Sequence, residues 1–252
     1  ALPFTHANEL GIPVWSEIEY AWREIAIPCV AITGTNGKTT VTGLVAEMLT
    51  ESGLRTAALG NIGIPLSDAV GGDLEVAVIE ASSFQLRFTF EFRPEVAVVT
   101  NVAPDHLDWH GSFAAYLAAK ANIVASQLPE DLLIIDGDDE GAGLIAARAP
   151  GRVATVSAIG RGSAGGVEDC RLWIGDLAIP LGDLGVSDSA FLVDLALAGA
   201  AAIEMGAKPS AVETVARRFR PGPHRRTVVA DHQGVRYVDD SKATNPHAAL
   251  AA

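Results

Sequence analysis

A lysine set among glycines and threonines is a cation placed to receive phosphate, and residues 34–40 read Gly-Thr-Asn-Gly-Lys-Thr-Thr. Glycines let backbone N–H groups converge on an anion, and a helix starting there adds a partial positive charge. In such a loop Lys38 reaches the β- and γ-phosphates of a nucleotide and Thr39 ligates Mg²⁺. The widespread G-x-x-x-x-G-K-[ST] pattern wants a glycine where this chain has Ile32. The other reading is a glycine-rich turn with an incidental Lys-Thr. The flanks favour the phosphate loop, because it needs a strand before it and a helix after it. "CVAIT" (29–33) supplies the first, and the helical spacing of Val41, Leu44, Val45, Met48 and Leu49, ended at Gly53, supplies the second.

Three further groups stand out. Glu80 closes the run "EVAVIE" (75–80), where a carboxylate can hold a hard ion such as Mg²⁺ or can be a solvated strand-end residue. His106 lies in "NVAPDHLDWH" (101–110) after another apolar run, between Asp105 and Asp108, and could reach a metal or a substrate or serve as a hydrogen-bonding residue. Lys120 falls on the same helical stripe as Phe113, Tyr116, Leu117, Ile123 and Val124. A lysine aimed at a core is costly unless paired or chemically altered. Periodicity alone favours the milder alternative, a stem that snorkels from the edge of the stripe.

The elements that must position these groups alternate between strand-like and helix-like. "EVAVVTN" (95–101) and "DLLIID" (131–136) join the two strands already named. Most are runs of Val, Ile and Ala rather than strict alternations, as expected of a parallel sheet covered on both faces. The expected fold is therefore α/β, a mostly parallel sheet flanked by helices and carrying the phosphate loop. Residues 151–185 read as a small antiparallel excursion, followed by helices near 188–206 and 209–219. "RPGPHRR" (220–226) has the chemistry of a linker, after which "RTVVAD" and "VRYVDDS" open a new strand pattern. Residues 1–24 read as the tail of a preceding domain, 25–222 as one domain, and 223–252 as the opening of another.

Composition narrows the partners. Of 252 residues, 31 are acidic and 18 basic, a net charge of -13, which argues against a nucleic-acid or anionic-membrane surface. Cys29 and Cys170 are isolated and have no metal-ligand spacing, which suits a reducing, cytoplasmic setting. "AFLVDLALAGAAAI" (190–203) contains Asp194 and reads as a buried helix, not a membrane span, and no signal-peptide pattern opens the sequence. The chain begins without methionine and stops at "HAALAA", inside a helix-like run, so a piece of a longer protein is expected.

"TGTNGKTT", "GNIG" (60–63), "SSFQL" (82–86), "APDHLDWH" (103–110), "YLAAK" (116–120), "PHR" (223–225) and "DDSKATNPHAA" (239–249) occur in this order. Together they resemble the Mur ligases along the whole chain. "SSFQL" and "DDSKATN" point to the branch that adds D-glutamate. The resemblance implies three domains: one for the uridine nucleotide, a central ATPase and a Rossmann-like C-terminal domain. It implies ATP-driven phosphorylation of the carboxylate of UDP-N-acetylmuramoyl-L-alanine, then attack by the amine of D-glutamate on the acyl phosphate.

By the same resemblance, Gly34, Thr35, Asn36, Gly37, Lys38, Thr39 and Thr40 bind ATP. Thr39 and Glu80 hold one Mg²⁺, and His106 and a carbamylated Lys120 serve a second. Asn61, Ser82 and Gln85 contact the muramoyl substrate. Arg225 and Asp240 touch ATP, while Lys242 and Thr244 meet the phosphate and D-glutamate. Lys38, His106, Lys120 and Lys242 are the expected catalytic set. A monomer is the family expectation. The family's H-N-x-x-N stretch, whose asparagines face adenine, is replaced here by a segment with Phe191 and Asp194 at the asparagine positions. Truncation implies an incomplete, catalytically crippled form of a ligase. Two other readings stand beside this one: a sibling ligase adding another amino acid, and a nucleotide-binding module without ligase activity.

Overall fold

The computed structural model describes residues 2–246 and Ala249, so the rest of the closing "HAALAA" run and of the motif ending at 249 lies outside the described residues. The chain opens with α1 (Leu2–Glu9), α2 (Glu17–Glu24), β1 (Cys29–Thr33), α3 (Lys38–Glu51), β2 (Thr56–Gly60) and β3 (Val76–Glu80). Next come α4 (Ser83–Leu86), β4 (Val96–Val99), α5 (Leu107–His110), α6 (Phe113–Ala121), β5 (Leu132–Asp136) and α7 (Glu140–Ala146). The remainder is β6 (Arg152–Ser157), β7 (Gly165–Glu168), β8 (Arg171–Ile174), β9 (Leu177–Pro180), α8 (Ser189–Glu204), α9 (Pro209–Arg218), β10 (Thr227–His232) and β11 (Val235–Asp239).

One nine-stranded sheet runs in the order β2-β3-β1-β4-β5-β6-β7-β8-β9. It is parallel from β2 to β7 and antiparallel through β8 and β9. Residues 151–185 are thus only partly the antiparallel excursion that the sequence suggests. They begin with β6, which pairs with β5 in parallel, and the hairpins that follow extend the same sheet. β10 and β11 form a separate antiparallel ribbon.

β1 is buried along its whole length, so its side chains feed two cores. Val30 and Ile32 pack with α3 and α8 on one face, while Cys29 and Ala31 pack with Ile18, Phe92 and Tyr116 on the other. This explains why β1, β3 and β4 read as continuous apolar runs. The chain leaves β1 towards β3 and β2 on one side and later adds β4 on the other. At such a reversal the loops after neighbouring strands diverge and leave a crevice at the carboxyl ends. Lys38 follows the loop after β1, Glu80 ends β3, and His106 lies in the segment after β4.

One carboxylate ties α2 to the segment before β4. Glu19 is fully buried and accepts backbone N–H bonds from Phe90, Glu91 and Phe92 and a charged bond from Arg23. Burial alone would raise its pKa, but these donors together hold it below the usual glutamate value.

Candidate active site

The phosphate loop is held from behind by residues after β4. Thr35 N–H donates to the Asn101 carbonyl at 2.8 Å and Asn36 N–H to Asn101 Oδ1 at 2.9 Å. Thr100 Oγ1 donates to the Asn36 carbonyl. The Thr35 hydroxyl lies between Ala103 and Tyr116. The N–H groups left to meet an anion are therefore those at the start of α3, from its N-cap Gly37 onward. Gly34 has to be glycine, because a Cβ there would strike Thr100 Oγ1. Gly37 has φ 83°, and a Cβ on it would lie 2.6 Å from Asp194 Oδ1.

Lys38 Nζ donates to the carbonyls of Gly34 and Thr35, both at 3.0 Å. Burial lowers its pKa, opposed by Glu80 and Asp105 and assisted by Arg225. Lys120 does not snorkel. It is 1% exposed, and its Nζ donates to the Gly34 carbonyl at 2.7 Å and sits 4.7 Å from the Tyr116 ring centre. Burial, and then the charge of Lys38, push its pKa well below the lysine value.

Glu80 is 2% exposed at the end of β3. Its Oε1 accepts from Asn61 Nδ2 at 2.9 Å, while its Oε2 is buried with no hydrogen-bond partner. A buried carboxylate oxygen left unsatisfied this way is expensive unless a cation or water meets it. Glu80 lines a cavity of about 560 Å³. Thr35, Asn36, Gly37, Lys38, Thr39 and Asn61 line the cavity with Glu80, and so do Arg225, Asp240, Lys242 and Thr244 from beyond the linker. Asn36 and Asn245 exchange side-chain amide bonds at 3.0 and 3.4 Å, tying the far segment to the loop.

The remaining expected site residues lie elsewhere. Gly34 and Thr40 belong to the loop and its helix but do not line the cavity. Ser82 and Gln85 are joined in a capping box at the start of α4, with Ser82 N–H and Oγ donating to Gln85 Oε1 at 3.0 and 2.8 Å. The S-x-x-Q spacing signals this arrangement in the sequence. His106 is half-exposed, with φ 51°, and packs against Phe84 at 4.9 Å between ring centres. Its Nε2 is 3.8 Å from Asp105 Oδ2. Sequence reasoning missed Thr100 and Asn101, whose polar type directly after an apolar strand was the available signal.

The first turns of α8 and the residues after β5 and β6 also line the cavity. Phe191 and Asp194 both line it. Asp194 is 7% exposed, and burial pushes its pKa to about 8, with Asp136 raising it further and Arg225 opposing. Asp136 is pushed up to about 6, chiefly by burial. Among the described residues there is no cluster of three or more His, Cys, Asp or Glu side chains able to hold a metal, and no helix long and apolar enough to cross a membrane.

Residues 32–169 match the Mur ligase middle domain. The chain is similar to the UDP-N-acetylmuramoylalanine--D-glutamate ligase of Frankia casuarinae, 45% identical over 98% of this chain and 54% of that protein. The ligase of the same name from Streptomyces avermitilis is 41% identical over 98% of this chain and 57% of its own. The chain thus spans about half the length of these relatives. Among solved structures, MurF of Thermotoga maritima in complex with ADP superposes with a TM-score of 0.71 at 18% identity, covering 93% of this chain and 58% of that one. MurF of Acinetobacter baumannii gives 0.71 at 17%, over 93% and 55%.

Proposed function

The chain belongs to the Mur ligase family, and from that membership we propose that it is the ATP-handling part of a ligase joining D-glutamate to UDP-N-acetylmuramoyl-L-alanine. The observation that carries the reading is the meeting, in one cavity, of Lys38 and Thr39 with the unsatisfied Glu80 oxygen and with Arg225, Lys242 and Thr244. Two anions, the γ-phosphate and the carboxylate it will join, must come together for an acyl phosphate to form. A site for that chemistry needs cations on both sides. Lys38, the α3 N-terminus and Arg225 serve ATP, and Lys242 serves the acceptor side. On this reading residues 1–24 close the uridine-nucleotide domain, 25–222 form the ATPase domain and 223–252 open the last domain.

Mg²⁺ fits the donors present at the first site. It is a hard ion that binds through one or two carboxylates plus phosphate oxygens, and Thr39 and Glu80 Oε2 would hold it. Bound there, the ion would neutralise phosphate charge. The second ion rests on the resemblance, with His106 and a carbamylated Lys120 as its ligands. Carbamylation needs a neutral amine, and the lowered pKa of Lys120 supplies one. Its nitrogen bonds the carbon of CO₂, a proton leaves, and an anionic carbamate replaces the neutral amine.

The test is phosphate release by the full-length protein with Mg²⁺, ATP and UDP-N-acetylmuramoyl-L-alanine, amino acids being added singly. Release that requires D-glutamate supports the proposal. Release with a different amino acid assigns a sibling step, and none with any amino acid favours a nucleotide-binding module.

A further inference from the structure

We infer that Asn245 is a positioning residue: through Asn36 and Asp105 it sets Lys242 and Thr244 against the phosphate loop. The inference rests on the ligase reading above. Lys242 and Thr244 line the cavity together with Lys38 and Thr39, yet they come from beyond the linker. A side chain that must meet a transferring phosphate needs its backbone registered on the loop that holds that phosphate. A misplacement of about 1 Å costs on the order of 100-fold in rate.

Asn36 offers a fixed reference for that registration. Its N–H donates to Asn101 Oδ1 at 2.9 Å, and its carbonyl accepts from Thr100 Oγ1 and Asn101 Nδ2. With its backbone held by the residues after β4, its side-chain amide meets that of Asn245. Asn245 Nδ2 donates to Asn36 Oδ1 at 3.0 Å, and Asn36 Nδ2 donates back to Asn245 Oδ1 at 3.4 Å. Asn245 Nδ2 also donates to Asp105 Oδ2 at 3.3 Å, while Asp105 Oδ1 accepts from the His106 N–H. One amide thus joins the phosphate loop to the segment that carries His106.

The order of donors and acceptors makes the contact specific to an amide. A primary amide carries donor and acceptor side by side, so two of them pair reciprocally. Asn245→Ala removes these bonds. Asn245→Asp does more harm, because it sets acceptor oxygens against Asn36 Oδ1 and a like charge against Asp105. Asp105→Asn reverses that, since its new N–H donates to the carboxylate at 245. Asn245 acts on the chemistry through Lys242, three residues before it, and through its neighbour Thr244.

The experiment compares the full-length wild type with Asn245→Ala, Asn245→Asp, Asp105→Asn and the combined Asn245→Asp, Asp105→Asn variant. Each is assayed for phosphate release as above and titrated with ADP and Mg²⁺. Asn245→Ala should lower kcat roughly 10- to 100-fold while ADP affinity, which also reports a folded site, stays within about 3-fold. Asn245→Asp should be about 5-fold slower still, and the combined variant should recover that extra loss although Asp105→Asn alone gains nothing over the wild type. A kcat for Asn245→Ala close to that of the wild type overturns the inference, and so does a combined variant no faster than Asn245→Asp. Loss of ADP affinity in step with kcat overturns it too, because the residue then serves nucleotide binding or folding. If the wild type itself binds no ADP or releases no phosphate, the ligase reading fails and the inference falls with it.

Discussion

Lys38 and Lys120 donate to the same acceptor, the carbonyl oxygen of Gly34, at 3.0 and 2.7 Å. Neither forms an ion pair among the described residues; Glu80 and Asp105 act on both only at longer range. Two amines crowded on one carbonyl repel each other when both are charged, so the arrangement favours an uncharged Lys120 and leaves Lys38 able to turn to an arriving phosphate. The loop is built around this pair, with Gly34 closing it on one side and Asn101 on the other.

Lys120→Ala in the full-length ligase should cut turnover by roughly 100-fold or more, while nucleotide affinity stays within about 3-fold. Steady-state kinetics and a binding titration separate these effects. If a carbamate forms on Lys120, wild-type activity should also fall in CO₂-free buffer and return with bicarbonate. Full activity in Lys120→Ala would remove the carbamate from the account.

Glu80→Gln should retain the fold, since the new amide can still accept from Asn61. It should lose the gain in ADP affinity that Mg²⁺ gives the wild type, by about 10-fold or more. Calorimetry with Mg²⁺ and with EDTA measures this directly. An unchanged Mg²⁺ effect would mean that the unsatisfied Glu80 oxygen is not a metal ligand.

Asp194 leaves a signature in stability. Burial holds its folded pKa at about 8, above the usual aspartate value of 3.8. Between these values the folded chain holds a proton that the unfolded chain has lost. Stability therefore falls as pH rises through that window, by about 1.4 kcal/mol per pH unit. Denaturant titrations at pH 5 and pH 8 should show Asp194→Asn gaining on the wild type at the higher pH. A constant difference between the two proteins would mean that Asp194 ionises normally.

The strands around the site were legible because β1, β3, β4 and β5 are covered on both faces and so are uniformly apolar. β2, "TAALG", was not: it is a short, alanine-rich edge strand with weak strand preference. β6, "RVATVS", was hidden by its charged first residue and exposed start. Lys38 and Glu80 could be read from their places at strand ends. Periodicity put Lys120 on the correct face but could not measure depth, and its amine proved fully enclosed. Asn101 and Asn245 act by reaching loop atoms 65 and 209 residues away, a relationship that local spacing does not encode.

The Glu19 carboxylate makes a solution clock for one end of the molecule. Residues 90–92 lie outside any helix or strand, and amide protons in such a stretch ordinarily trade with solvent quickly. Here three consecutive ones are spent on a side chain of α2, so their deuterium uptake times the release of that helix. Slow, joint exchange at 90–92 would record α2 leaving as a unit, without any label being attached to it.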